Sequence, residues 1–432
     1  MKYFFLLFLL FANGSFAQHK KPNIIFILAD DLGIDGVGAY GADFYKTPII
    51  DKLAQQGIRY TNAYTVPLCG PSRALILTGR YGFRTGAVNQ DMTGQMKPSV
   101  ETMMPAILKK AGYTTSMIGK WGQLPSDPAT FGFDDYLRYF GSGVYVNEGE
   151  KKEKYVVNGK EAQLQKGEYM PDLMHDHMVN FLARHKNDPF YLYYSMTQVH
   201  GEIIATPDTK PGTTDFKELY SDNISYMDKL VGKLIHTLDS LKLRQNTLIV
   251  FFGDNGTAGQ AAQIGSVNGQ KLIGKKGSMQ EGGSLVPMIV NWPGVIKKPG
   301  VSSHLIDAAD FVPTFAELAG APLPTNNVLD GVSFAYQLKG GKGTAREWIF
   351  TELGKDWYVR SANWKLMRSG DLYDMTKAPF EEKLVVLDEK TTLEKQKLQA
   401  VLDKLNPAGG ILDNGDGSGR HASKAKNNKK NE

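Results

Sequence analysis

The sequence predicts an α/β fold: a large, mixed, mostly parallel sheet sandwiched by helices, followed by a smaller antiparallel sheet packed by a helix. Three observations lead there. Short apolar runs rich in β-branched and aromatic residues alternate with helical patterns through most of the chain. The composition, 42% hydrophobic and 22% charged, is ordinary for a globular protein and excludes a fibrous or wholly disordered chain. After about residue 335 the runs shorten, behind a glycine-rich stretch, Gly340-Gly341-Lys342-Gly343.

Taken in order, the chain opens with Met1-Lys2, an apolar run over residues 3–12, and small residues at Ser15 and Ala17. That pattern reads as an export signal cut near Ala17, so the protein is expected to be periplasmic or secreted. The run is too short to be a membrane span, which takes about 20 apolar residues, and no later run is long enough. Buried strands are expected at residues 23–29, 114–119, 190–196, 248–253 and 288–292. Helices are expected at 47–56, 102–111 and 222–241. The last carries Ile224, Met227, Leu230, Leu234, Ile235 and Leu238 at three- and four-residue steps. Strands alternating with helices argue for parallel pairing.

The main domain is thus read as 18–338 and a C-terminal subdomain as 339–406. The subdomain carries short strand patterns at 347–353, 357–360, 364–367 and 372–373, closed by a helix at 392–405. Residues 407–432, rich in Gly, Asn and Lys, are expected to be a flexible basic tail.

The formal net charge of +5 sits at the ends. Residues 1–17 carry only Lys2, and residues 420–432 carry Arg420, Lys424, Lys426, Lys429 and Lys430 against Glu432. The body between them sums to zero, which gives no argument for nucleic-acid binding. A single cysteine, Cys69, excludes an internal disulfide and any cysteine-based zinc cluster.

Four apolar runs lead into polar residues that packing does not require. They lead to Asp30-Asp31, to Lys120, to His200 and to Asp254-Asn255. Ligands of open parallel sheets bind outside the carboxyl ends of the strands, so these four sets are expected on one edge. Asp30, Asp31, Asp254 and Asn255 make a hard, oxygen-only donor set suited to Ca2+ or Mg2+. Acidic pairs also end strands and cap helices, so the set is a candidate rather than a proof.

Residues 69–80 read Cys69-Gly70-Pro71-Ser72-Arg73-Ala74-Leu75-Ile76-Leu77-Thr78-Gly79-Arg80. Pro71 suits an early helical position and Gly79 the residue after the last turn. Cys69 then lies at a helix N-terminus, where anions are favoured, with the Arg73 charge one turn on. An inert buried thiol and a thiolate nucleophile both remain open on these residues alone.

The motif Cys-x-Pro-Ser-Arg followed by Leu-Thr-Gly-Arg resembles the signature of the type I sulfatases, in the alkaline phosphatase superfamily. Further elements are similar: residues 23–31 (NIIFILADD), Gly119-Lys120-Trp121, Gly253-Asp254-Asn255-Gly256, the Lys276-to-Gly283 stretch before Val286-Pro287, and the Trp364-Lys365-Leu366 and Leu372-Tyr373-Asp374 segments. The resemblance implies an alkaline phosphatase-like fold and a sulfuric ester hydrolase using one Ca2+, with Mg2+ a lesser choice. It implies conversion of Cys69 to Cα-formylglycine by a formylglycine-generating enzyme or a radical maturase. Asp30, Asp31, Asp254, Asn255 and the modified Cys69 would ligate the metal. Arg73, Lys120 and Lys276 would neutralise sulfate oxygens. Asp254 would accept a proton, and His200 or Lys276 would protonate the leaving alcohol. A sulfated carbohydrate is the expected substrate. A phosphate or phosphonate ester hydrolase of the same superfamily, or a catalytically silent binder of sulfated glycans, are the alternatives.

One position departs from the resemblance. Many relatives carry a histidine two residues after the lysine; here Lys120-Trp121 is followed by Gly122-Gln123. Glycine supplies no side chain, and a carboxamide cannot act as a base near neutral pH.

Three signals are set aside. Residues 269–276 approach a P-loop but place Lys276 where Ser or Thr must stand. His175 and His177 flank Asp176 in a helical stretch, and residues two apart do not share a helix face, so an exposed helix is expected. Asn223-Ile224-Ser225 is an N-glycan acceptor pattern. Specificity is expected from loops at 127–160 and 201–215, with Arg138, Phe140, Tyr145, Tyr155 and Lys210.

Overall fold

The computed structural model describes residues 21–147 and 153–415. The leader, with its expected cleavage at Ala17, and the end of the basic tail lie outside the described residues. Ten strands form the main sheet: β1 (Asn23–Ala29), β2 (Ile58–Tyr64), β3 (Thr114–Lys120), β4 (Asp135–Tyr139), β5 (Lys154–Val157), β6 (Lys160–Gln163), β7 (Phe190–Ser195), β8 (Thr247–Gly253), β9 (Met288–Asn291) and β10 (Gly300–Asp307). Their order across the sheet is β10-β2-β9-β8-β1-β7-β3-β4-β5-β6.

The central run β8-β1-β7-β3-β4 is wholly parallel, as the alternating pattern predicts. Strands β1, β7 and β8 are apolar at almost every position because both faces are covered. In β1, Ile24, Phe26 and Leu28 pack into one layer, and Ile25, Ile27 and Ala29 into the other. β9, expected among the parallel strands, instead runs antiparallel between β8 and β2. The helix Phe216–Ser240 covers one face; it starts before residue 222 because Asp215 caps it, accepting the Glu218 N–H.

The expected 127–160 loop contains β4 and β5. β5 and β6 form a hairpin whose turn is Asn158-Gly159, with φ of +49° and +81°. An Asn-Gly pair between short runs is the standard signal for that turn. The helix Met170–Arg184 is not exposed as expected. Met170, Met174, His175, Met178, Phe181 and Leu182 are buried, and His177 Nε2 lies 2.7 Å from an Asp135 oxygen. Asn223 is fully buried, its amide donating to the Ile204 and Leu219 carbonyls, so it is closed to a glycan.

The second sheet is antiparallel: β11 (Ile349–Leu353), β12 (Asp356–Arg360), β13 (Trp364–Met367), β14 (Leu372–Asp374) and β15 (Glu382–Lys383). The helix Glu389–Leu405 buries Leu398 and Leu402, and an Asp388–Thr391 capping box starts it before residue 392. Residues 407–415, expected as the start of a flexible tail, are held to the main domain. The Ile411 N–H donates to Phe83 O, and Asn89 Nδ2 donates to Asp413 Oδ1 at 2.6 Å. Among the described residues no helix is long and apolar enough to cross a membrane.

Candidate active site

Because β8, β1, β7 and β3 are adjacent and parallel, their carboxyl ends share one edge of the sheet. Asp30-Asp31 follow β1, Lys120 ends β3, His200 follows β7 and Asp254-Asn255 follow β8. Backbone bonds lock these ends together. Asp30 N–H donates to Gln198 O at 2.8 Å and Asp254 N–H to Ala29 O at 2.9 Å. The Asp31 N–H donates to Asp254 Oδ1 at 3.0 Å. Asp31 holds a left-handed backbone, φ +60°, which costs energy for a residue with a Cβ.

The helix Cys69–Thr78 is buried along its whole length and ends at Gly79, φ +67°. A side chain at Gly79 would start 2.9 Å from Val312 Cβ, so glycine is required by backbone and by packing alike. Cys69 opens the helix. Its Sγ lies within 4.8 Å of carboxylate oxygens of Asp30 and Asp254, and, in a second grouping, of Asp31 and a His200 ring nitrogen. All nine residues singled out from the sequence therefore meet at one place.

The basic side chains fall into two layers. Arg73 and Lys120 are fully buried. Lys120 Nζ donates to both Asp30 oxygens at 2.7 and 2.9 Å. Arg73 Nη2 donates to Asp254 Oδ2 at 2.7 Å, and Nη1 to Lys120 O and to Ser195 Oγ. Lys276 and His200 are the outer layer, with side chains 13% and 22% exposed. Lys276 Nζ lies 2.6 Å from one Asp31 oxygen, and His200 Nε2 lies 3.8 Å from the other.

Burial works against every charge here, and partners decide which survive. Burial opposes ionisation of Asp30, but Lys120, then His200 and Arg73, hold its carboxyl well below the usual range. Asp254 goes the other way: burial and the Asp30 charge push it up to about 7. Burial lowers the His200 imidazole. Burial also works against Lys276, yet Cys69 and Asp31 raise it.

The residues fit a divalent cation. Three carboxylates converge in a buried space, and Asn255 Oδ1 is buried with no hydrogen-bond partner while its Nδ2 donates to Asp31 at 2.9 Å. An orphaned buried carbonyl oxygen beside crowded carboxylates is what an oxygen-ligated ion satisfies.

Two further contacts were not visible as motifs. Ser195, the last residue of β7, accepts from Arg73 and donates to Lys120 O at 2.8 Å. Gln90 reaches Cys69 from the short helix Gln90–Thr93, its Nε2 3.7 Å from Sγ. Strand register reveals the first, since Ser195 pairs with Gly119; no local signal reveals the second.

Residues 22–321 match the family model described as Sulfatase. The chain belongs to the sulfatase family. Residues 272–408 of this sulfatase also match the model described as N-sulphoglucosamine sulphohydrolase, C-terminal. Human N-acetylgalactosamine-6-sulfatase is 31% identical over 367 residues, covering 76% of this chain and 68% of that one. N-acetylgalactosamine-6-O-sulfatase of Bacteroides thetaiotaomicron is 28% identical, covering 83% and 84%. The crystal structure of Ps i-CgsB in complex with k-i-k-neocarrahexaose superposes with a TM-score of 0.79 at 27% identity, covering 94% of this sulfatase and 97% of that chain.

Proposed function

We propose that this sulfatase releases inorganic sulfate from a sulfated carbohydrate, with Cys69 converted to Cα-formylglycine as nucleophile and one Ca2+ held by Asp30, Asp31, Asp254, Asn255 and residue 69. The observation that carries it is the convergence on Cys69 of three carboxylates and the His200 ring, with Lys276 and the orphaned Asn255 oxygen beside Asp31. Sulfated sugars are the substrates in the names of the N-acetylgalactosamine-6-sulfatase relatives. Export, and a formylglycine-generating enzyme or radical maturase as partner, belong to the same reading.

Bound there, the divalent ion supplies Lewis acidity toward a sulfate oxygen and charge to offset the carboxylates. The hydrated aldehyde of residue 69 supplies the attacking hydroxyl. The chain's own groups do the rest. Lys120 and Arg73 keep Asp30 ionised inside the protein, against a desolvation cost that would otherwise protonate it. Asp254 accepts the proton of the attacking hydroxyl. Lys276, on the open side, neutralises charge building on the sulfate group together with Arg73 and Lys120, and Lys276 or His200 protonates the leaving alcohol.

The test has two parts. The tryptic peptide carrying residue 69 is weighed in natively produced protein, and sulfate release is measured on purified sulfated oligosaccharides beside matched phosphate esters. Plain cysteine in active protein would overturn the nucleophile, and a large preference for phosphate would overturn the substrate class.

A further inference from the structure

Gly122 leaves the sulfatase without a side chain two residues after Lys120, and the structure shows what fills the neighbourhood of residue 69 instead. Gly122 has φ +72°, and a Cβ there would start 3.3 Å from Arg73 Cδ. The turn carries the chain on to Gln123, whose Oε1 accepts a hydrogen bond from Gln90 Nε2. The same Nε2 lies 3.7 Å from Cys69 Sγ, and Gln90 Oε1 accepts the Gly70 N–H at 3.0 Å. A side chain at Gly70 would start 2.8 Å from Gln90 Oε1, so glycine is needed there for the carboxamide to dock. Gln90 is itself anchored. The preceding Asn89 caps its helix by accepting the Met92 N–H at 2.8 Å and donates to buried Asp413.

We propose that Gln90 and Gln123 are positioning residues: a pair of carboxamides that fixes the direction of the residue-69 side chain. This rests on residue 69 being the nucleophile, as argued above. Gln123 orients the Gln90 amide through its Oε1, and the Gln90 N–H faces the side-chain atom of residue 69. A carboxamide donates and accepts but does not exchange a proton near neutral pH, so the pair orients the nucleophile without serving as a base. Bases and acids stay with Asp254, His200 and Lys276.

The experiment uses the mature protein, with conversion of residue 69 quantified by peptide mass and sulfate release established for the wild type. Gln90→Met and Gln123→Met keep volume and remove the amide. Each is measured for kcat and KM, for melting temperature, and for the rate at which a hydrazide probe labels the residue-69 carbonyl. Loss of orientation lowers kcat by about 10- to 100-fold while KM stays within about twofold. Hydrazide labelling speeds up by about fivefold, the factor that one net hydrogen bond is worth. The proposal is overturned if both variants keep the wild-type kcat and labelling rate. It is also overturned if kcat falls only with the melting temperature while labelling is unchanged, since that is a purely structural role. A wild type that carries plain cysteine or releases no sulfate defeats the functional reading itself, and this shows before any variant is made.

Discussion

Two of the buried charge clusters among the described residues differ in kind. The first is the sheet edge around Cys69. The second joins the two sheets: Glu281, Glu381, Lys365 and Arg360, with Tyr64 and Tyr358 between them. Lys365 bonds Glu381 and donates to Met279 O at 3.1 Å, while the Tyr64 hydroxyl donates to Glu281 at 2.5 Å. Arg360 stacks 4.6 Å over the Tyr64 ring, and Lys365 sits 4.6 Å over Tyr358. Every charged member of the joint is buried, whereas the edge cluster keeps Lys276 and His200 at an opening. Burial of charge therefore does not by itself mark a site. What marks it is three carboxylates converging beside Cys69, with Lys276 and His200 within reach of solvent. The joint serves the site indirectly: Glu281 lies on the segment that carries Lys276 and is fastened there by the C-terminal sheet.

The sharpest way to separate the two is Cys69→Ala. Removing the proposed nucleophile leaves the joint intact, so sulfate release falls by at least about a thousandfold while the unfolding midpoint barely moves. Parallel kinetics and denaturant titration read both effects.

Lys365→Met makes the opposite cut. It strips the only hydrogen-bonding cation from buried Glu381 among the described residues, and uncompensated buried charge costs about 3–5 kcal/mol of stability. The variant, measured well below its lowered melting temperature, retains kcat; a collapse of kcat in folded protein would mean that the joint belongs to the active site. Chelation is gentler and strikes the edge alone. A cation held at 100 times its dissociation constant stabilises the fold by about 2.7 kcal/mol. EDTA is therefore expected to lower the melting temperature, Ca2+ to restore it, and Lys365→Met to leave that difference unchanged.

The edge was legible in the sequence because most of its polar residues follow strands with almost no other polar position. Asp30, Asp31, Asp254 and Asn255 stand out against the runs NIIFILA and TLIVFFG. Ser195 was hidden inside such a run, and Gln90 on a four-residue helix with no pattern of its own. The strands toward one side of the sheet were harder than the central ones. β2 mixes buried and half-buried positions and β10 buried and exposed ones, and β10 carries a register shift between Ser302 and Leu305, so neither shows a continuous apolar run. The joint was not legible at all, because Glu281, Arg360, Lys365 and Glu381 become neighbours only when the two sheets pack.

The joint also differs from the edge in a response to pH that Glu281 carries. Burial first, then the Glu381 charge, raise Glu281 to about 8, while Lys365 pulls it down. A carboxyl that holds its proton more tightly folded than unfolded stabilises fully below its ordinary value near 4.5. That contribution is lost as pH rises from there through about 8. For one proton the loss is at most about 1.4 kcal/mol per pH unit. Wild-type stability should therefore decline from pH 5 to pH 8 more steeply than that of Glu281→Gln, which keeps a neutral acceptor for Tyr64 at every pH. Denaturant midpoints of the two proteins across that range decide it. Parallel curves would mean that Glu281 stays ionised against Lys365, and that the joint is held by a full ion pair rather than by a protonated acid.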